Sequence, residues 1–201
     1  VELLEGGNIE ETNPPFSLFR DYVALLMQYN KQFAIIGNQN AITYREIFPL
    51  IKSNKIWLGY NNGHYWFMVP DSYEEKKTDF KIDESGQKWR RMGNICWFTN
   101  LDIEKRHENM TLFRTYSPDI YPKYDNYDAI EVSKTADIPC DYDGYMGVPI
   151  TFMQYYNPEQ FEIAGLDDHR VEWVGHGPRL NGKVKYRRVI IRRKQVNTNE
   201  N

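Results

Sequence analysis

Asn13-Pro14-Pro15-Phe16 is a short stretch whose residue types suit one specific chemistry. An amino group attached to an aromatic heterocycle is a poor nucleophile, because its lone pair is delocalised into the ring. A protein that alkylates such a group needs two acceptors to hold both N–H bonds and draw the lone pair out of conjugation. The side-chain oxygen of Asn13 supplies one acceptor. The backbone carbonyl of Pro14 supplies the other, held still because proline fixes its own φ and Pro15 restricts Pro14 further. Phe16 brings a ring able to stack on a base turned out of a duplex. The plainer reading of the same residues is a stiff loop that sets the approach to a helix.

The flanking elements must position these groups. Apolar residues at Leu18, Phe19, Tyr22, Val23, Leu25, Leu26 and Tyr29 follow helical spacing, and Ser17 is placed to cap the first turn. Phe33 to Ile36 then runs into Gly37 and a cluster of amides, the pattern of a buried parallel strand ending in a loop. Residues 43–53 read as a second helix with Pro49 limiting its regularity, and residues 55–60 (KIWLGY) as a strand. This alternation predicts a doubly wound α/β sheet, in which loops at the carboxyl ends of strands collect the chemistry. Both NPPF and the loop Gly37-Asn38-Gln39-Asn40 fall at such ends. Asn38, Gln39 and Asn40 are therefore candidates to line a substrate pocket, against the simpler reading of an amide-rich loop satisfying its own backbone. Glu10 and Glu11 precede NPPF where a buried central strand calls for aliphatic residues.

Beyond Asn62 the alternation breaks down. YWFMVP reads as a short strand, Tyr73 to Arg91 as a charged excursion, GNICWFTNL as a strand, and the Tyr-, Pro- and Asp-rich residues 114–132 as loop. GVPITFM, QFEIAGL and KYRRVIIRR then read as strands. Trp57, Trp66, Trp89, Trp97 and Trp173 are core or interface anchors in the simplest reading, with stacking on nucleic acid the alternative for Trp66 and Trp89.

With 201 residues, 41% of them apolar and 15% aromatic, the chain can bury a sizeable core. It has no apolar run near the roughly 20 residues of a membrane span and no leader pattern at its start, so no membrane partner is expected. Cys96 and Cys140 lack metal-ligand spacing, and His64, His107, His169 and His176 are scattered, so no metal is expected. Both cysteines read as buried thiols of a reducing cytoplasm. The formal charge of −3 argues against bulk nucleic-acid affinity, but residues 183–194 (KVKYRRVIIRRK) hold seven of the 25 basic residues and no acid. On one continuous strand, Lys183, Lys185, Arg187 and Arg193 would share one face and Arg188, Arg192 and Lys194 the other. Edge lysines protect sheets against aggregation, but so dense a run points to phosphate contact.

NPPF resembles the catalytic motif of amino-group methyltransferases that use S-adenosylmethionine. The longer stretches TNPPFSLFRDYVALL, FAIIGNQNAITYREIFPLIK, KIWLGYNNG, KWRRMGNICWFTNLDIEKRHE, YDNYDAIEV and DIPCDYDGYMGVPITFMQYYNPEQFEIAGL are similar, in order, to the EcoRI-type adenine-specific DNA methyltransferases. The basic ending is similar to that family's close. The resemblance implies methyl transfer from S-adenosylmethionine to the 6-amino group of adenine in double-stranded DNA, within a specific sequence. Asn13 and the Pro14 carbonyl would hold the amine, Pro15 would stiffen the loop and Phe16 would stack on the flipped base.

That family's glycine-rich cofactor turn lies well before NPPF. Gly6-Gly7, residues 59–63 (GYNNG) and residues 175–177 (GHG) do not open helices after buried strands. The expectation is therefore the C-terminal part of a methyltransferase. Residues 1–103 would be a partial Rossmann-like sheet, residues 104–194 a mixed α/β target-recognition region and residues 195–201 a polar tail, with the cofactor half in another segment or chain. Two alternatives stand beside it. One is a non-catalytic DNA-binding remnant or one half of a split enzyme. The other is a methyltransferase acting on RNA or on protein glutamine.

Overall fold

A computed structural model describes residues 9–166 and 177–195, without the side chains of residues 61–64. Gly6, Gly7, His169, Trp173, Gly175, His176 and residues 196–201 lie outside the described residues, as does the His64 side chain. The chain divides into two compact units, residues 1–47 with 58–101, and residues 48–57 with 102–201.

The first unit is built on a sheet. Its strands are Ile9–Thr12 (β1), Gln32–Asn38 (β2), Trp57–Met68 (β3), Phe80–Ile82 (β4) and Lys88–Thr99 (β5), in the order β1-β2-β5-β3, with β4 paired to β5. β1 and β2 are parallel, with Ile9 opposite Gln32 and Thr12 opposite Ile35. β5 runs antiparallel to β2 and stands between it and β3. The expected doubly wound arrangement therefore holds only for the β1/β2 pair. β1 is half exposed along its length, and among the described residues it lies at the sheet edge. Glu10 and Glu11 are tolerated there because neither is buried.

Helix Phe19–Gln28 (α1) buries Phe19, Val23 and Leu26, one stripe at i, i+4 and i+7, and ends at Asn30, whose φ of 51° is the left-handed conformation asparagine tolerates. Ser17 does not cap it. Phe16–Leu18 form a 3-10 turn in which the Leu18 N–H donates to the Pro15 carbonyl at 2.9 Å, so the prolines rather than a hydroxyl set the start. β2 alternates, with Phe33, Ile35 and Gly37 buried. It is tied to the end of β5 by hydrogen bonds from the Phe33 N–H to Asn100 Oδ1 (2.9 Å) and from Thr99 Oγ1 to the Phe33 carbonyl (2.6 Å).

The predicted helix over residues 43–53 is replaced by a 3-10 turn at Gln39–Thr43 and, in the second unit, a short helix Phe48–Lys52 (α2). Tyr44 is extended (ψ 143°), which breaks the run, and Pro49 sits in the first turn of α2, where its missing N–H costs nothing.

In the second unit α2 packs on strand Phe161–Leu166 (β8), with Lys52 Nζ donating to the Ala164 carbonyl at 2.6 Å. β8 belongs to a mixed sheet with Ala129–Glu131 (β6), Tyr145–Val148 (β7) and Val189–Arg193 (β11), in the order β6-β7-β11-β8. β6 and β7 are parallel and the other pairs antiparallel. Ile130, Met146, Val148, Phe152, Phe161 and Ile191 are buried in its core. GVPITFM is a strand only to Val148, because Pro149 has no N–H for the ladder and a 3-10 turn, Ile150–Gln154, follows. Arg179–Leu180 (β9) and Lys183–Val184 (β10) form a hairpin through Asn181 (φ 51°) and Gly182 (φ 74°), whose N–H groups donate to the Asp125 carboxylate. The fold class is mixed α/β. Among the described residues no helix is long and apolar enough to cross a membrane.

Candidate active site

NPPF hangs between two fixed points of the first unit. Upstream, β1 ends at Thr12, held in register with Ile35 of β2. Downstream, Phe19 is buried at the head of α1, with its ring 4.9 Å from that of Phe98 on β5. Gly37 permits this. A Cβ there would come within 2.5 Å of the Phe19 ring and 2.9 Å of the Phe98 ring, so glycine lets the head of α1 lie directly on β2. Pro14 is buried while Asn13, Pro15 and Phe16 face outward, Phe16 at 42% exposure. The Pro15 carbonyl is taken by the 3-10 turn, which leaves the Pro14 carbonyl outside that bond. Among the described residues the Asn13 side chain has no hydrogen-bond partner.

Gly37 to Asn40 occupy the same end of the sheet, because β2 runs parallel to β1 and overshoots it. The three amides are not equivalent. Asn38 Oδ1 accepts the Asn40 N–H at 2.8 Å, so that side chain serves its own loop, and Asn40 is exposed. Gln39 is 7% exposed, and its Nε2 is buried with no hydrogen-bond partner among the described residues. A buried unsatisfied donor costs about 1–3 kcal/mol, so this amide at the NPPF end of the sheet is, like the Tyr65 hydroxyl, a group whose placement the described residues do not account for.

The basic ending is not one two-faced strand. It comprises β10, an irregular link and β11, and its cations divide by exposure rather than by face. Arg188 is withdrawn into a cluster, with Nη2 2.6 Å from Glu131 Oε1 and Nε 3.1 Å from Glu131 Oε2. Tyr124 and Ser133 hydroxyls also donate to this carboxylate, which is 4% exposed. Burial alone pushes Glu131 up, but the bonds from Arg188 and Tyr124 hold it below the ordinary glutamate range, and burial pushes the Tyr124 hydroxyl up. Arg192 pairs with Glu162 at 2.7 Å, and Arg193 donates to the Cys140 carbonyl. Lys183, Lys185, Arg187 and Lys194 are exposed.

The family model described as "Adenine-specific methyltransferase EcoRI" matches residues 1–194. The chain belongs to this family. It is 48% identical over 204 residues to the Type II methyltransferase M.EcoRI of Escherichia coli, covering 98% of this chain and 60% of that protein. It is 40% identical over 216 residues to the Type II methyltransferase M.MgeORF184P of Mycoplasma genitalium, covering 98% of this chain and 68% of the relative. It is 39% identical over 217 residues to the Type II methyltransferase M.MpnI of Mycoplasma pneumoniae, covering 97% and 67%. The chain thus spans about three fifths to two thirds of the length of these relatives. No solved structure matches.

The glycines at Gly37, Gly59, Gly86, Gly144, Gly147 and Gly182 do not form a cofactor cradle. Gly37 accommodates Phe19, Gly59 faces Trp97, Gly144 faces Tyr142 and Gly147 faces Tyr124, so these glycines serve packing. Gly86 and Gly182 have positive φ and serve turns. Among the described residues no group of His, Cys, Asp and Glu is arranged to hold a metal ion. Of the tryptophans singled out, Trp89 donates its indole N–H to Asp83 at 2.8 Å, and Lys81 Nζ lies 4.7 Å from the Trp66 ring centre and 5.7 Å from that of Trp89. Sequence reasoning missed Phe19 and Gly37 as the pair that seats NPPF. The available signal was a glycine interrupting an apolar strand.

Proposed function

We propose that this chain carries the amine-holding half of an S-adenosylmethionine-dependent methyltransferase that modifies the 6-amino group of adenine within a specific sequence of double-stranded DNA. The observation that carries this reading is that, among the described residues, the Asn13 side chain, on a loop stiffened by Pro14 and Pro15, has no partner and neither does Gln39 Nε2 at the same sheet end. Asn13 Oδ1 and the Pro14 carbonyl accept the two amine protons, and the outward Phe16 stacks on the extruded base. S-adenosylmethionine supplies an electrophilic methyl group. Among the described residues β1 lies at the sheet edge, which supports the cofactor's being held by a cofactor-binding half that continues the sheet, within the same protein or as a separate chain.

The second unit acts in this reading as the DNA-contacting region, with Lys183, Lys185, Arg187 and Lys194 on phosphates. Arg188, Arg192 and Arg193 shape the strand that presents them. Free thiols at Cys96 and Cys140 support a cytoplasmic setting.

Asn13→Ala tests the assignment with the cofactor-binding half supplied. Methyl incorporation into adenine-containing duplex in a single turnover is expected to fall about a hundredfold or more, with DNA affinity nearly unchanged. An unaffected rate returns NPPF to a stiff helix start. The chain by itself is expected to bind S-adenosylmethionine negligibly, and a micromolar dissociation constant by calorimetry would overturn the half-enzyme reading.

A further inference from the structure

Phe113 is 67% exposed in the second unit, yet it does not sit on a loose loop. Its segment is irregular but pinned at both ends. The Gln160 side-chain amide grips Met110 twice, accepting its N–H at 2.7 Å and donating to its carbonyl at 2.8 Å. Downstream, the Cys140 N–H donates to the Arg114 carbonyl at 2.8 Å, and the Tyr116 N–H donates to the Asp141 carboxylate at 2.7 Å. The ring is thus held facing water by a fixed segment, and Ile120 (67% exposed) and Tyr155 (51% exposed) line the cavities beside it, so the exposed apolar surface here is a patch rather than a single residue.

Phe113 also divides two cavities. One, of about 600 Å³, is lined by Phe113, Arg114, Ile120, Tyr121 and Lys185, and the other, of about 620 Å³, by Phe113, Lys134, Thr135 and Tyr155. Each is large enough for a nucleobase with its sugar. The charge available to a ligand is positive. Glu131 reaches the first cavity, but its carboxylate is taken up by Arg188, Tyr124 and Ser133. Asp137 is paired with Arg114 at 3.3 Å. Lys185 and Lys134, one at each cavity, are exposed. Arg114 lies 5.6 Å from the centre of the Phe113 ring, with its charge paired to Asp137, so among the described residues the unpaired positive charge near Phe113 comes from the two lysines.

We infer that Phe113 is a base-stacking wedge that enters duplex DNA between neighbouring bases, with Lys134 and Lys185 on the phosphates to either side. Apolar side chains inserted at a base step unstack and kink the duplex, and flanking cations hold the bent backbone. The inference rests on the reading of this chain as part of a DNA methyltransferase, but it names a contact outside the amine-holding loop.

The test uses the full chain with a labelled duplex. Phe113→Ala is expected to weaken binding about five- to 150-fold, the range for loss of one base–aromatic stack, and to reduce the bend read by energy transfer between the duplex ends. The dependence of affinity on salt should not change, because no phosphate contact is lost. Phe113→Trp should restore both affinity and bend. Lys134→Gln and Lys185→Gln should instead each lower the log-log salt slope by up to about 0.9. Thermal unfolding of Phe113→Ala should match the parent, since the ring is exposed. If the parent binds the duplex and Phe113→Ala binds and bends it equally well, this inference falls alone. If the parent binds no duplex at all, the DNA reading falls with it. A change in self-association with DNA affinity intact would assign Phe113 to a protein contact and overturn the wedge.

Discussion

Replacing Gly37 by alanine tests whether the candidate loop is set by packing behind it. The added Cβ would lie 2.5 Å and 2.9 Å from two atoms of the Phe19 ring and 2.9 Å from the Phe98 ring. Ordinary carbon contacts begin near 3.5 Å, so the ring must retreat by about 1 Å. Both rings are fully buried, which leaves no open space for a cheap rotation. Overpacking of this kind costs about 1–3 kcal/mol. Phe19 directly follows the Phe16–Leu18 turn, so its retreat carries the loop with it. A displacement of about 1 Å in a positioning group can cost about a hundredfold in rate. Gly37→Ala should therefore lower the denaturation midpoint and slow single-turnover methylation, measured with the cofactor-binding half supplied, while DNA affinity stays within about twofold. Phe19→Leu in the same chain should recover part of both losses, since it removes the clashing ring atoms, and the double-mutant cycle measures that coupling. Unchanged stability and rate in Gly37→Ala would refute the claim that the Phe19–Gly37 contact seats the loop.

Three further outcomes follow from the geometry. Gln39→Met keeps the volume and removes an unsatisfied buried donor, so urea unfolding should show unchanged or higher stability while methyl transfer falls; a marked loss of stability would show that the amide is satisfied within the fold. Phe16→Ala should slow methylation of paired adenine more than that of a mismatched, easily extruded adenine, and equal slowing on both would remove the stacking role. Glu131 is held below its ordinary value of 4.5, so its contribution to stability is present above that pH and is lost as pH falls through its folded-state value. Glu131→Gln should flatten the acid limb of a stability–pH curve, whereas Arg188→Gln, which strands a buried carboxylate, should cost about 3–5 kcal/mol at neutral pH; an unchanged acid limb in Glu131→Gln would refute the linkage.

The placement of NPPF and GNQN at strand ends was legible because each follows a local cue, two prolines before a helical stripe and an apolar run stopped by glycine and amides. The order of the sheet was not. β5 inserts antiparallel between β2 and β3, and that pairing joins residues such as Ala34 and Thr99, whose sequence separation leaves no periodic trace. The missing Ser17 cap has the same character. The hydroxyl is present and suitably placed in sequence, but the Pro15 carbonyl closes a 3-10 turn first. Membership in the EcoRI-type family was readable because long stretches match in order, which requires no knowledge of how they pair.

The basic ending shows why charge density alone does not identify a binding face. Seven cations without an intervening acid read as one phosphate-contacting strip, since a run of sequence reveals nothing of acids that approach from elsewhere. In the fold, Glu131 and Glu162, which stand 57 and 30 residues before their partners, engage Arg188 and Arg192. Arginine suits such pairs because its planar fork meets a carboxylate through two bonds, as Arg188 meets Glu131. The lysines Lys183, Lys185 and Lys194 remain exposed. The same dozen residues therefore serve two purposes, with Arg188, Arg192 and Arg193 tied into the end of the sheet and Lys183, Lys185, Arg187 and Lys194 exposed to the solvent from which a phosphate backbone would arrive. Exchanging Arg188 for lysine while leaving the net charge unchanged should thus cost stability and spare the salt slope of DNA binding, whereas exchanging Lys183 and Lys185 for glutamine should spare stability and lower that slope. A strip that acted through charge density alone would instead leave the unfolding midpoint unmoved by the charge-neutral Arg188 exchange, and that result would refute the division.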